Sequence, residues 1–203
     1  MITIINYDAG NLRSVINAFD YLGIATEVTN DKKKILDAKK ILLPGVGSFR
    51  RAIENIKSLD IFDSICEATL VKKTPILGIC LGMQLLAKSS DEDKYSEGFG
   101  FIDGEIKKFN LSNQFQIPHV GFNSVQLNSK NSQLFSGIED NSDFYFVHSF
   151  RLENSASSFV SGTTEYGEKF TAAFEQNNIF GAQFHPEKSQ SNGLKMLHNF
   201  SKI

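Results

Sequence analysis

The chain opens on a compact apolar run, "ITIINY" (2–7), and passes into "NLRSVINAFDYLG", where Leu12, Val15, Ile16, Phe19 and Leu22 recur at helical spacing before Gly23. That reads as a strand followed by a helix. "IATEVTN" alternates β-branched with polar residues as a strand does, and Asn30 is placed to cap a short helix begun by "DKKKILDA". "KKILLPG" (39–45) reads as a third strand that breaks at Pro44-Gly45. Residues 48–73 read as one interrupted helix or two consecutive ones. One apolar stripe holds Ile53, Ile56 and Leu59, and another holds Ile61, Phe62, Ile65 and Leu70. "PILGI" (75–79) is then a buried strand leading into the helix "LGMQLLAK".

Strands alternating with helices of about a dozen residues imply an α/β fold, with a mostly parallel central sheet flanked by helices and joined by right-handed crossovers. In such sheets ligands gather at the carboxyl ends of the strands, where both Pro44-Gly45-Val46-Gly47 and Cys80 fall. Past residue 95 the segments shorten to "EIKKF", "SVQL", "DFYFVHSF" and "FVSGTTEYGEKFTAAFEQNNIFGAQFHPE". Antiparallel strands are therefore expected in the C-terminal half, closed by a helix over about 191–201. With no repeat, low-complexity tract or composition shift to mark a linker, 203 residues are expected to form one domain, 1–203.

Composition narrows the function. Hydrophobic residues make up 41% and charged residues 22%, an ordinary globular balance that argues against disorder. A net charge of −2 gives no general field for nucleic acid or anionic lipid, and no apolar run approaches the 18 or so residues of a membrane span. "MITIINYDAGNLRSV" does not have the pattern of a secretory signal, so a cytoplasmic location is expected, with Cys66 and Cys80 as reduced thiols.

One of those cysteines sits in "GICLG", directly after a strand and directly before a helix. A residue flanked by glycines at such a turn forms a nucleophile elbow, and the helix start at Leu81 offers backbone N–H groups that favour a thiolate or an oxyanion. The pentapeptide alone also fits a small buried hydrophobe. A nucleophilic thiol needs a base, and His119, His148, His185 and His198 are available. In "QFHPEKS", His185 and Glu187 lie two apart in extended chain and point the same way, while Pro186 keeps a helix from separating them. Glu187 can then orient the imidazole while the other ring nitrogen meets the thiol. A proton shared in this way leads to an expectation of activity that rises with pH through the neutral range.

Here the residues resemble a family. "LGICLGMQLL", "LPGVGSF" and "GAQFHPEKS" are similar to the motifs of class I, or triad-type, glutamine amidotransferases, whose fold is flavodoxin-like. "NYDAGNLRSV", "IPHVGFNSV" and "YFVHSF" narrow the resemblance to the glutaminase subunits of imidazole glycerol phosphate synthases. It runs from the first strand to the last helix. It implies hydrolysis of L-glutamine and delivery of ammonia to a cyclase (TIM-barrel) subunit in a heterodimer, for histidine biosynthesis. No metal or organic cofactor is implied. By the same resemblance Cys80 is the nucleophile, His185 the base and Glu187 its orienter, with oxyanion donors from Val46, Gly47 and Leu81. Gly45, Gln84, Glu92, His148, Ser149 and Phe150 fall at substrate-binding positions, and Asn11, Pro118, His119, Phe122 and Lys188 at the partner face.

Bland readings stand beside these. The loop 44–47 could be a routine turn, Gln84 a helix-surface residue and Glu92 part of the solvated run "SSDEDK". The family's usual Pro-His-Met-Gly-Trp-Asn appears as Pro118-His119-Val120-Gly121-Phe122-Asn123, so phenylalanine replaces an interface tryptophan. A changed docking face leaves open an alternative in which ammonia is supplied to a synthase in surface-sugar or glycan biosynthesis.

Overall fold

The structure is a computed structural model that describes residues 1–203 apart from 9–11, 113, 129–131 and 154–157. Its first half alternates β1 (Ile2–Ile5), α1 (Leu12–Tyr21), β2 (Thr26–Thr29), α2 (Lys32–Leu36), β3 (Ile41–Gly45), α3 (Phe49–Ser58), α4 (Phe62–Cys66), β4 (Ile76–Cys80) and α5 (Leu81–Leu85). Two minimal strands follow, β5 (Ser89–Ser90) and β6 (Ser96–Glu97), then β7 (Glu105–Lys108), β8 (His119–Leu127), β9 (Ser142–His148) and β10 (Phe150–Leu152). β11 (Val160–Glu165), β12 (Lys169–Gln176), β13 (Ile179–Ala182) and α6 (Gln190–Lys202) complete the chain.

Among the described residues nine strands form one sheet in the order β2-β1-β3-β4-β13-β12-β11-β8-β9. From β2 to β13 the pairings are parallel, and from β13 to β9 antiparallel. The antiparallel strands of the C-terminal half thus extend the parallel sheet. A small second sheet, β10-β7-β5-β6, packs Ile106 and Leu152 into a core shared with the large one. β13, almost the last element in sequence, is placed beside β4 in the middle of the large sheet. Its register pairs Ala182 with Ile79, and β3 pairs Gly45 with Cys80. Those two registers bring the chain after residue 182 and the loop after residue 44 level with Cys80.

The inner parallel strands β1, β3, β4 and β13 are buried on both faces, as sheets covered by helices must be, while edge strand β2 is partly exposed. Alternate residues feed two cores: Ile5, Ile41, Leu43 and Ile76 pack with Phe49, Ile53, Ile56 and Ile65 on one side. Ile4, Leu42, Leu77 and Ile79 pack with Phe19, Leu197 and Phe200 on the other. Each large side chain so buried contributes about 1.5–3 kcal/mol.

Three local expectations are corrected. Asp31, and not Asn30, caps α2, its carboxylate accepting from Lys34 N–H at 3.0 Å. Leu70 is exposed because α4 widens into a π-helical turn, Glu67–Val71, whose phase turns Ala68 and Thr69 inward instead. The run "SSDEDK" is not wholly solvated, since Ser89 and Ser90 are buried in β5.

Candidate active site

β4 ends at Cys80 with φ 53° and ψ −112°, and α5 begins at the next residue. This left-handed backbone at a non-glycine residue costs about 1–3 kcal/mol and persists only where packing enforces it. The packing is tight because α5 folds straight back over its own strand. A methyl on Gly82 would lie 1.7 Å from the Leu43 carbonyl oxygen, and one on Gly78 would lie 2.6 Å from Gly82 O. Both glycines of "GICLG" are therefore required by close backbone approach. The elbow expected from sequence is present, with Cys80 buried and Leu81 opening the helix.

The chain leaving β13 passes through Gln183 and Phe184 to His185. There β9 clamps the backbone: His185 N–H donates to Tyr145 O at 2.8 Å. The Ser189 hydroxyl donates to His185 O at 2.6 Å and accepts from Tyr145 N–H at 2.9 Å. Pro186 starts a short 3-10 turn, Pro186–Lys188, that brings Glu187 back under the ring. Nδ1 of His185 donates to Glu187 Oε1 at 2.8 Å, and the ring lies close enough to Cys80 for the thiol to act on its charge. Burial is the largest influence on His185 and works against its charge. The hydrogen bond and charge of Cys80, then those of Glu187, outweigh it and raise the imidazolium to about 10. A protonated imidazole beside sulfur is the arrangement that stabilises a thiolate.

Behind the thiol lies a buried polar line that the sequence reading did not find in full. Gln84 on α5 donates through Nε2 to Phe150 O at 2.9 Å and to Gln183 Oε1 at 3.0 Å. With its oxygen so fixed, Gln183 turns Nε2 toward Cys80 Sγ at 3.9 Å. The sulfur is also 3.7 Å from Val147 O. Phe150 O accepts from His148 Nδ1 at 2.8 Å, so His148 Nε2 must accept, and it does so from His119 Nδ1 at 3.1 Å. Both rings are kept neutral by burial, His148 lowered to about 3 and His119 to about 4. The only sequence signal for Gln183 is a polar residue inside the apolar run "IFGAQF".

The other candidates fall in three groups. Gly45 is buried, while Val46 and Gly47 project into solvent, Gly47 with φ 111°. Glu92 is half-buried, and its carboxylate accepts from Phe49 N–H at 2.8 Å at the start of α3, immediately after that loop. Burial raises its pKa, against the lowering effect of this hydrogen bond. Gln84, His148 and Phe150 lie behind the thiol as described, and Ser149 O accepts from Phe109 N–H at 3.2 Å. Of the partner-face residues, Pro118, Phe122 and Lys188 are exposed and Asn11 lies outside the described residues. His119 is a correction: its ring is buried, stacked between Tyr166 and Phe146 with centroids 4.1 and 5.0 Å away, so it supports that face from beneath.

An elbow cysteine with a His-Glu pair at the carboxyl edge of a parallel sheet fits acyl transfer from an amide. The chain belongs to the class-I glutamine amidotransferase family, whose model matches residues 3–203. Relatives within it carry a more particular name, imidazole glycerol phosphate synthase subunit HisH. HisH 1 of Campylobacter jejuni subsp. jejuni serotype O:23/36 (strain 81-176) is 47% identical over 203 residues, covering 100% of both chains. HisH 2 of Methanococcus maripaludis is 45% identical over 202 residues, covering 100% of this chain and 99% of that one. Among solved structures, PurLQS from Thermotoga maritima superposes with a TM-score of 0.76 at 19% identity, over 99% of this chain and 97% of that chain. That likeness concerns the fold.

Proposed function

We propose that the chain is the glutaminase subunit of an imidazole glycerol phosphate synthase, a single amidotransferase unit over 1–203 that works in the cytoplasm. The observation that carries the reading is the buried His185–Glu187 pair set against Cys80 at the strained elbow. The Cys80 thiolate attacks the amide carbon of L-glutamine, and the oxyanion is met by backbone N–H groups of Leu81 and of the Val46–Gly47 loop. As the C–N bond breaks, the His185 imidazolium gives its proton to the departing nitrogen, releasing ammonia and leaving a glutamyl thioester. Neutral His185 then takes a proton from water, whose oxygen attacks the thioester carbon. Glutamate leaves and the thiolate–imidazolium pair is restored. Glu187 orients the ring.

Ammonia goes to a partner, a cyclase subunit docked on the face that carries Pro118, Phe122 and Lys188. None of the relatives above is named for sugar amidation, and the HisH names favour histidine biosynthesis. Among the described residues no helix is long and apolar enough to cross a membrane. The decisive experiment is Cys80→Ala in the reconstituted complex. Glutamine-dependent synthesis should disappear and ammonia-dependent synthesis should persist, because only the nitrogen source passes through the thiol. Wild-type glutamine turnover by that variant would overturn the reading.

A further inference from the structure

β1 stops at Ile5, whereas β3 runs on to Gly45. Thr3 N–H donates to Lys40 O at 2.9 Å, so the even-numbered carbonyls of β3 face β1. The carbonyl of Pro44 is the first of these to lie past the end of β1, where no strand amide meets it. Tyr7 takes over: its side-chain hydroxyl donates to Pro44 O at 2.6 Å. The ring is fully enclosed and its backbone carbonyl is tied to α3 by Asn55 Nδ2 at 3.1 Å. Burial, with a smaller effect from Cys80, drives the phenol pKa far up, so the group remains a donor at every working pH. The hydroxyl also occupies the space over the next residue, since a methyl on Gly45 would lie 2.0 Å from it.

Resting on the glutaminase reading above, we propose that Tyr7 is a positioning residue for the oxyanion loop. Holding the Pro44 carbonyl fixes the Pro44–Gly45 peptide at the level of Cys80, and reorientation is confined to the two peptides that flank Val46. The loop then presents its N–H groups from a fixed base. A loop free to turn from Pro44 onward spreads those donors over several positions, which weakens stabilisation of an oxyanion that tolerates little misplacement.

The test uses the chain in complex with its cyclase partner, with functional sites counted by a diazoketone analogue of glutamine. In Tyr7→Phe, kcat per counted site should fall about tenfold, less than the roughly hundredfold or more for deleting an oxyanion donor outright. KM for glutamine should stay within about twofold, and alkylation of Cys80 by iodoacetamide should keep its rate, because the thiol and base are untouched. A merely structural Tyr7 would lower the count of sites or the melting temperature and leave kcat per site at the wild-type value, which overturns the proposal. Gly45→Ala supplies an independent arm. Its methyl meets the hydroxyl at 2.0 Å in the wild-type background, but once that oxygen is removed the nearest contacts are Leu81 Cβ and the ring carbon, each at 3.3 Å. The double variant should therefore be faster than Gly45→Ala alone, and losses that simply multiply would count against control of the loop by the hydroxyl. Full kcat in Tyr7→Phe beside an inactive Cys80→Ala defeats the Tyr7 assignment alone, whereas an active Cys80→Ala defeats the reading of the whole site.

Discussion

Replacing Glu187 with glutamine isolates one quantity, the charge under His185. Glutamine keeps the shape and still offers an oxygen to Nδ1–H, so ring orientation survives while the negative charge goes. In the native site the imidazolium is raised from 6.5 to about 10, a preference for the charged form of about 5 kcal/mol at roughly 1.4 kcal/mol per pKa unit. That preference is net of burial, which opposes it, and is shared between Cys80 and Glu187. Loss of one nearby opposite charge lowers such a pKa by about one to three units. The sign follows from the chemistry. In the proposed mechanism the proton on His185 is the one delivered to departing ammonia, so activity is present below this pKa and lost as pH rises through it. The wild-type complex should accordingly remain active through neutrality and decline near pH 10. Glu187→Gln should begin its decline roughly one to three pH units earlier and keep measurable activity at pH 6–7, unlike a variant without the His185 ring. The assay is glutamate release by the complex from pH 6 to 11. An alkaline limb that stays near pH 10 in Glu187→Gln would show that the carboxylate does not hold the proton and would refute the argument.

Cys66 is half-buried, and burial followed by the charge of Asp63 raises its thiol to about 11, so it is a poor nucleophile. Cys66→Ala should keep full glutamine turnover and lose at most about 1–2 kcal/mol of stability in urea titration; loss of turnover in the folded variant would move the chemistry to the wrong cysteine. Phe122 is 50% exposed, with its ring edge-on to Tyr145 at 5.4 Å. Phe122→Ala should weaken assembly by about tenfold or more by calorimetry, as for an aromatic anchor, and an unchanged Kd would remove it from the interface. His119 and His148 titrate lower in the fold than in the unfolded chain. Their stabilising effect is therefore complete above about pH 6.5 and lost as pH falls toward 4. The urea midpoint should drop between pH 7 and 5, and drop less in His119→Phe, whose ring fits between Phe146 and Tyr166; equal slopes would dissociate the pair from acid sensitivity.

Much of this site is written locally. The pair His185–Glu187 is set by two residues of extended spacing and one proline, and the elbow by two glycines whose need is steric, so both can be read along the chain. Strand and helix positions in the first half follow from periodicity for the same reason. Local pattern fails where phase or partner comes from elsewhere. Leu70 fits an α-helical stripe until the π turn shifts it, and His119 looks like an interface residue until Tyr166 and Phe146, far away in sequence, close over it.

The deepest unreadable feature is the position of β13. Nothing in "IFGAQF" says that this strand enters the sheet beside β4, more than 90 residues earlier, yet that pairing alone brings His185 to Cys80. The register then fixes the remainder. With Ala182 opposite Ile79, Gln183 lies behind the sulfur and His185 beside it, and a slip of one residue would exchange the faces of both. β3, entering on the opposite side of β4, sets Gly45 against Cys80 by the same logic and leaves Pro44 O one step beyond β1, where Tyr7 reaches it. Cys80, His185 and the loop after Pro44 are thus held by three adjacent parallel strands, β3, β4 and β13, all buried along their length. Any adjustment of the loop after Pro44 falls to the peptides beyond those ladders. Val46, 46% exposed between two glycines and past the Tyr7 anchor, is where the described structure leaves room for it.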